Sequence, residues 1–221
     1  MGELQFGRIV GYWPDLLAGV WVTLGLSAVS VGLGLGLGLV LALARYSRHP
    51  LLDWPAYAYI EFFRTTPPLV QIVWLYYGLP ALVGRDLGAF GAAAVALGLN
   101  IAAFFGETFR AGIASIDRTQ WQAARVLGLR LADTLRFVIV PQALRNVLPP
   151  LANQFIQLIK DSSLVSLVSI QELTFMAQDI QVLTHKVFEV LLFTGGVYFT
   201  ICYGLSLAFG AIERRSAAMR R

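Results

Sequence analysis

Cysteine, histidine and lysine are nearly missing from this chain: one Cys, two His and two Lys in 221 residues. The lone Cys202 sits in an apolar run, which excludes a disulfide framework within the chain. His49 and His185 are too few and too far apart for a ligand set, so no metal centre is expected. There is no G-x-x-x-x-G-K-[ST], G-x-S-x-G or H-E-x-x-H, the commonest marks of phosphate-loop, acyl-transfer and zinc sites. No catalytic residue is expected. Charge is scarce too, at 14% of residues against roughly 25% in soluble domains, while 57% are hydrophobic. That balance belongs in a bilayer. The opening MGELQFGRIVGYW has neither a basic start nor a small-residue cleavage site, so no removable signal peptide is expected.

What is present is long apolar runs, and they predict an all-α membrane protein with about five transmembrane helices in one domain, 1–221. The first, 16–44, carries no charge, and at 1.5 Å per residue its helix is about 44 Å long, more than the roughly 30 Å core of a bilayer. Within it Gly32/Gly36 and Gly34/Gly38 form two small-xxx-small pairs suited to close helix packing. The second, 57–82, contains EFFRTTPPLVQ. Glu61 and Arg64, three apart, are expected to neutralise each other as an ion pair. The two prolines, Pro67 and Pro68, predict a kink or unwound turn beside Gln71. The third span is 89–109. The fourth, about 151–170, is interrupted by Lys160, Asp161, Ser162 and Ser163, and 171–186 is expected to be a polar connection to the fifth, 187–212.

The loop at 113–148 is the longest stretch unsuited to lipid. Six arginines fall between Arg110 and Arg145. If the loops after the first and third spans and the C-terminal tail share one side, that side holds twelve basic residues against three. The positive-inside rule then places the N-terminus out and the C-terminus in, and accounts for the net charge of +4 without a nucleic-acid partner. Inside the loop, Thr119 to Gln122 fits a capping box, Ala123 and Ala124 favour helix, and Gly128 can end it in a left-handed cap. Trp121, Val126 and Leu127 make this short helix too apolar to stand free. It either docks on another protein or lies on lipid headgroups.

Polar groups at membrane depth are costly and mark function by default. Gln71, Gln154, Asp161, Ser162 and Ser163 are therefore the candidate substrate pathway. Asp161 can accept from a cationic group and the serine hydroxyls can donate to an anionic one.

QAARVLGLRLADTLRFVIVP resembles the EAA loop of permease subunits of bacterial ABC importers. The spacing is met by Gln122, Ala123, Ala124, Gly128, Val138, Val140 and Pro141, with Gln in place of Glu and Val in place of Ile and Leu. The likeness to the polar amino acid uptake branch extends to Glu61, Arg64, Thr66 and Pro67, with Thr65 where Gly is usual, and to NQFIQLIKDSSLVSLVSIQEL from Asn153. It implies a non-catalytic permease in the bacterial cytoplasmic (inner) membrane, with no cofactor of its own. ATP and Mg would reside on two cytoplasmic ATPase subunits. A second permease subunit, identical or related, and an external or periplasmic amino-acid-binding protein would complete the assembly. The helix from Gln120 to Leu127 would be the coupling helix, with Trp121, Gln122, Ala123, Ala124, Arg125, Leu127 and Gly128 at the ATPase. Arg118, Arg125 and Arg130 would either contact the ATPase or only enforce topology. A self-sufficient secondary transporter or channel is the other reading of the same spans.

Overall fold

The computed structural model describes residues 11–47 and 49–218. Arg8, Arg48, Arg220 and Arg221, which entered the charge count, lie outside the described residues. Helix α1, Trp13–Tyr46, and helix α4, Gly88–Ala114, run parallel in close contact and form the spine. Their approach is set by glycine. A Cβ on Gly34 would strike Ile101, and one on Gly38 would come within 2.8 Å of Phe105 Cβ and 3.1 Å of the Ala102 carbonyl. From the other side, Gly98 faces Leu33 and Gly106 faces Leu41. Gly32 and Gly36 meet nothing within 4 Å, so among the described residues only the Gly34/Gly38 pair is used. Without a solvent difference between lipid and side chain, such contact is held by van der Waals packing.

The second expected span is two helices. Helix α2, Pro50–Thr65, and helix α3, Pro68–Val83, flank an extended step at Thr66 and Pro67. Each of these residues precedes a proline, which disfavours the helical region and forces ψ to 141° and 133°. Both helices run antiparallel to α4: Ile60 lies near Gly106, and Asn100 meets the Phe63 carbonyl. Leu26, Ile72, Leu75, Leu97, Phe105 and Leu158 bring four helices into one buried cluster.

Most of the expected loop 113–148 is helical. After α4 come the short helix α5, Arg118–Val126, and then helix α6, residues 131–161, which continues into the fourth hydrophobic stretch. Pro141 does not stop it. A π-helical turn, Thr134–Ile139, precedes the proline and absorbs the interruption in hydrogen bonding that its missing N–H creates. A 3-10 segment, Ser162–Val168, follows α6 and ends at Ser169 with φ 60°. The expected connection 171–186 contains helix α7, Leu173–Thr184, and the chain closes with helix α8, Val187–Ala218. Three helices are long and apolar enough to cross a membrane, α1, α4 and α8 among the described residues.

Candidate functional site

Helix α5 is specified at both ends by residues local to it. Its N-cap is Asp117, whose carboxylate accepts from the Thr119 N–H at 2.8 Å and the Thr119 hydroxyl at 2.9 Å. This displaces the expected cap at Thr119 by two residues. A carboxylate at the N-cap satisfies an orphan N–H and opposes the positive end of the helix dipole, so the helix starts as soon as one is available. The Thr119 and backbone bonds hold the Asp117 carboxyl below the usual carboxylate range. At the other end Gly128, with φ 71°, donates to the Arg125 carbonyl while Leu129 N–H reaches the Ala124 carbonyl. That pair of bonds is a Schellman motif, as the glycine required.

The helix has two faces with different duties. Trp121 and the buried Ala124 point inward, and Trp121 packs against Ile116, Ile139 and Ala143. Both are expected to lie at the ATPase; within the chain Trp121 also fastens α5 against Ile113 of α4 and the start of α6. Gln122, Ala123, Arg125, Leu127 and Gly128 face outward. Val126 and Leu127 are 88% and 76% exposed, which leaves an apolar tip at the end of a rigid helix.

The expected pathway residues divide similarly. Gln71 is buried, and its Nε2 donates to the Phe63 carbonyl and to the carbonyl and hydroxyl of Thr66, while its Oε1 accepts from Asn100. Its amide is consumed in capping the carbonyls that the proline pair strands at the end of α2. Ser162 is fully buried and donates to Ile159 O at 2.7 Å, and Ser163 donates to Lys160 O at 2.7 Å, so neither hydroxyl proton is free for a carboxylate. Gln154 turns toward α4 and donates to Thr108 at 2.8 Å. Asp161 accepts from Gln157 at 2.9 Å. The polar face that α6 leaves exposed is Asn153, Gln157 and Lys160, beside Asp161. Their spacing of four and three marks one helix face, a signal the sequence contained.

Glu61 and Arg64 are not within ion-pair distance of each other. Arg64 lies in the last turn of α2, where its guanidinium sits 5.6 Å from the centre of the Phe104 ring. That aromatic face on α4 replaces the expected carboxylate. The ion pairs among the described residues are Arg45–Asp53, Glu107–Arg110 and Lys186–Glu189. No metal-ligating group is found among the described residues.

A further polar cluster escaped the sequence reading. Glu172 is fully buried, caps α7 through the Phe175 N–H at 2.8 Å, and accepts from the Tyr198 hydroxyl at 2.9 Å. Thr23 of α1 receives the Leu173 N–H at 3.3 Å, and Gly19 gives the backbone of Leu173 room to approach. The cluster ties α1, α7 and α8 together.

Residues 34–217 match the family model described as binding-protein-dependent transport system inner membrane component. The chain is 38% identical over 204 residues to the probable amino-acid ABC transporter permease protein YckA of Bacillus subtilis (strain 168), covering 92% of this chain and 90% of that one. It is 35% identical over 213 residues to the arginine transport system permease protein ArtQ of the same organism, covering 96% and 97%. Among solved structures, a chain in the crystal structure of an amino acid ABC transporter with histidines superposes with a TM-score of 0.91 at 37% identity. That match covers 97% of this chain and all of the other. The chain therefore belongs to the family of binding-protein-dependent transport system inner membrane components, and has the ABC permease fold.

Proposed function

We propose that this chain is the permease subunit of an ATP-driven importer in the bacterial inner membrane, translocating a polar amino acid by alternating access. The observation that carries this is near full-length likeness to amino-acid ABC permeases in both sequence and structure. In this reading the chain crosses the bilayer five times: α1, the broken pair α2 and α3, α4, α6 with its 3-10 extension, and α8. The N-terminus is outside. The end of the bundle bearing α5 is cytoplasmic, in keeping with Arg45, Arg110, Arg118, Arg125, Arg130 and Arg145 at that end.

Helix α5 is the coupling helix. Its outward residues Gln122, Ala123, Arg125, Leu127 and Gly128 seat in a groove on a cytoplasmic ATPase, which holds the ATP and Mg. Trp121 and Ala124 transmit the movement to α4 and α6. ATP-driven closure of two ATPases draws together the two coupling helices of a permease pair and rocks the spans toward the outward-open state. A rigid helix capped at both ends suits that load.

The pathway runs along the polar face of α6. A face carrying Asn153, Gln157, Lys160 and Asp161 is expensive against lipid, so it borders water between this subunit and its permease partner. Asp161 is the acceptor for the substrate ammonium, and Gln154 lies at the flank. An external binding protein delivers the amino acid from the other end.

Purification from mild detergent tests this reading. The complex should bring down an ATPase, and the isolated chain should neither bind nor hydrolyse ATP. Ion-driven uptake in vesicles lacking any ATPase would instead identify a self-sufficient secondary transporter.

A further inference from the structure

Between α4, α6 and α8, at the α5 end of the bundle, lies a cavity of ≈ 690 Å³. This is within the roughly 300–1,000 Å³ typical of small-molecule sites. Its wall carries one cation and one anion, Arg145 from α6 and Glu213 from α8, both half-buried. Among the described residues neither lies within ion-pair distance of an opposite charge. Pro149 and Pro150 line the same wall. Neither ring has an N–H, so the carbonyls of Arg145 and Asn146, one turn earlier, receive no helical hydrogen bond from those positions. Those oxygens are left as acceptors on residues that line the same cavity as Glu213.

The cavity also touches the predicted pathway. Thr108, on its wall, accepts from Gln154 Nε2, and Gln154 Oε1 is buried with no hydrogen-bond partner among the described residues. A buried amide oxygen left unpaired is costly, and a ligand or water reaching it from the cavity would satisfy it.

We propose that this cavity is a second binding site, for a small zwitterion. Arg145 takes the ligand's anionic group, and Glu213 with the freed carbonyls takes its ammonium. A zwitterion matches both wall charges at once and leaves no unpaired charge buried. Two sources have this chemistry: a free α-amino acid and a phosphoethanolamine headgroup. Continuity with Gln154 points to the amino acid, which would pause here on leaving the pathway. That assignment of source rests on the transport reading; the zwitterion site itself does not.

The test uses the complete importer in vesicles, with Cys202→Ala as background and Ser115→Cys as a reporter on the cavity wall. The site is expected to be weak, since it must release its ligand. L-glutamine at about 10 mM, tenfold above a Kd of about 1 mM, fills about nine-tenths of the sites and slows maleimide labelling about tenfold. Glutaramic acid, which lacks the ammonium, and 4-aminobutanamide, which lacks the carboxylate, should protect little. Arg145→Gln and Glu213→Gln should abolish protection, while Glu213→Asp, which keeps the charge and reports a folded complex, should retain it. If the occupant is a headgroup, labelling without amino acid will be slow in phosphatidylethanolamine and fast in phosphatidylglycerol, and Arg145→Gln will make it fast in both. Labelling indifferent to both glutamine and headgroup overturns the site, as does equal protection by the two truncated analogues. ATP-driven uptake on the same vesicles separates the two readings. Protection without uptake rejects the transport function alone, and uptake without protection rejects the site alone.

Discussion

Asp117 Oδ1 receives both the backbone N–H and the hydroxyl of Thr119, so a single carboxylate caps the first turn of the helix at the exposed tip of the bundle. Asp117→Asn keeps an oxygen acceptor and should preserve α5, whereas Asp117→Ala should fray its first turn. The carboxyl titrates below its ordinary range when folded. Its contribution is therefore complete above the unfolded Asp pKa and is lost as pH falls through the lower, folded value. Amide exchange at Thr119 and Gln120 should speed up in Asp117→Ala at neutral pH, and in the wild type only under acid.

Gly34 and Gly38 sit where a side chain has no room. Gly38→Val should destabilise the subunit by about 1–3 kcal/mol through overpacking against Phe105 and the Ala102 backbone. Gly36→Val, whose Cβ meets nothing among the described residues, should leave the melting temperature of the isolated subunit in detergent unchanged. Equal losses in the two variants would contradict the packing of α1 on α4.

The amides of Gln71 and Asn100 act as one unit at the α2–α3 break. Gln71→Leu strands the Thr66 carbonyl, while the Phe63 carbonyl keeps its bond from Asn100, and should cost about 1–3 kcal/mol. The Gln71–Asn100 bond is lost in either single variant, and the Phe63 carbonyl is orphaned only when both amides are gone, so the two costs should not add. Thermal denaturation of the four proteins in a double-mutant cycle measures that coupling, and strictly additive costs would contradict it.

Apolar run lengths, the Pro67–Pro68 break and the glycine at the end of α5 were all legible in the sequence, because each rests on a local rule. The carboxylate cap at Asp117 was visible too, but the better-known Thr-x-x-Gln pattern two residues on concealed it. Helix continuity through Pro141 was not legible, since it depends on a π turn that only the fold reveals. The uses of Gln71 and Ser162 were illegible for a related reason. A polar residue in an apolar span can face a pathway or cap a stranded backbone group, and its neighbours in space decide which. Glu172 went unnoticed because its partners, Thr23 and Tyr198, are far away in sequence and neither is charged.

That carboxylate gives a fourth prediction. Glu172→Ala removes the acceptor for the Phe175 N–H, an orphan that should cost about 1–3 kcal/mol, while the Tyr198 hydroxyl keeps Thr174 as a partner. Hydrogen exchange should accelerate selectively across α7, Leu173–Thr184, with α4 unaffected. Glu172→Gln, which retains an acceptor oxygen, should lose less.

The central claim is that α5 transmits the work of a separate ATPase to the spans. Gln122→Pro removes an N–H from the middle of α5 and places a ring against the preceding turn, while touching no span. The decisive measurement is ATP-driven amino acid uptake by the complete complex in vesicles, with insertion of the variant verified separately. Gln122→Pro should insert normally and lower uptake to background. Uptake at the wild-type rate in that variant, or uptake without any ATPase, would contradict it.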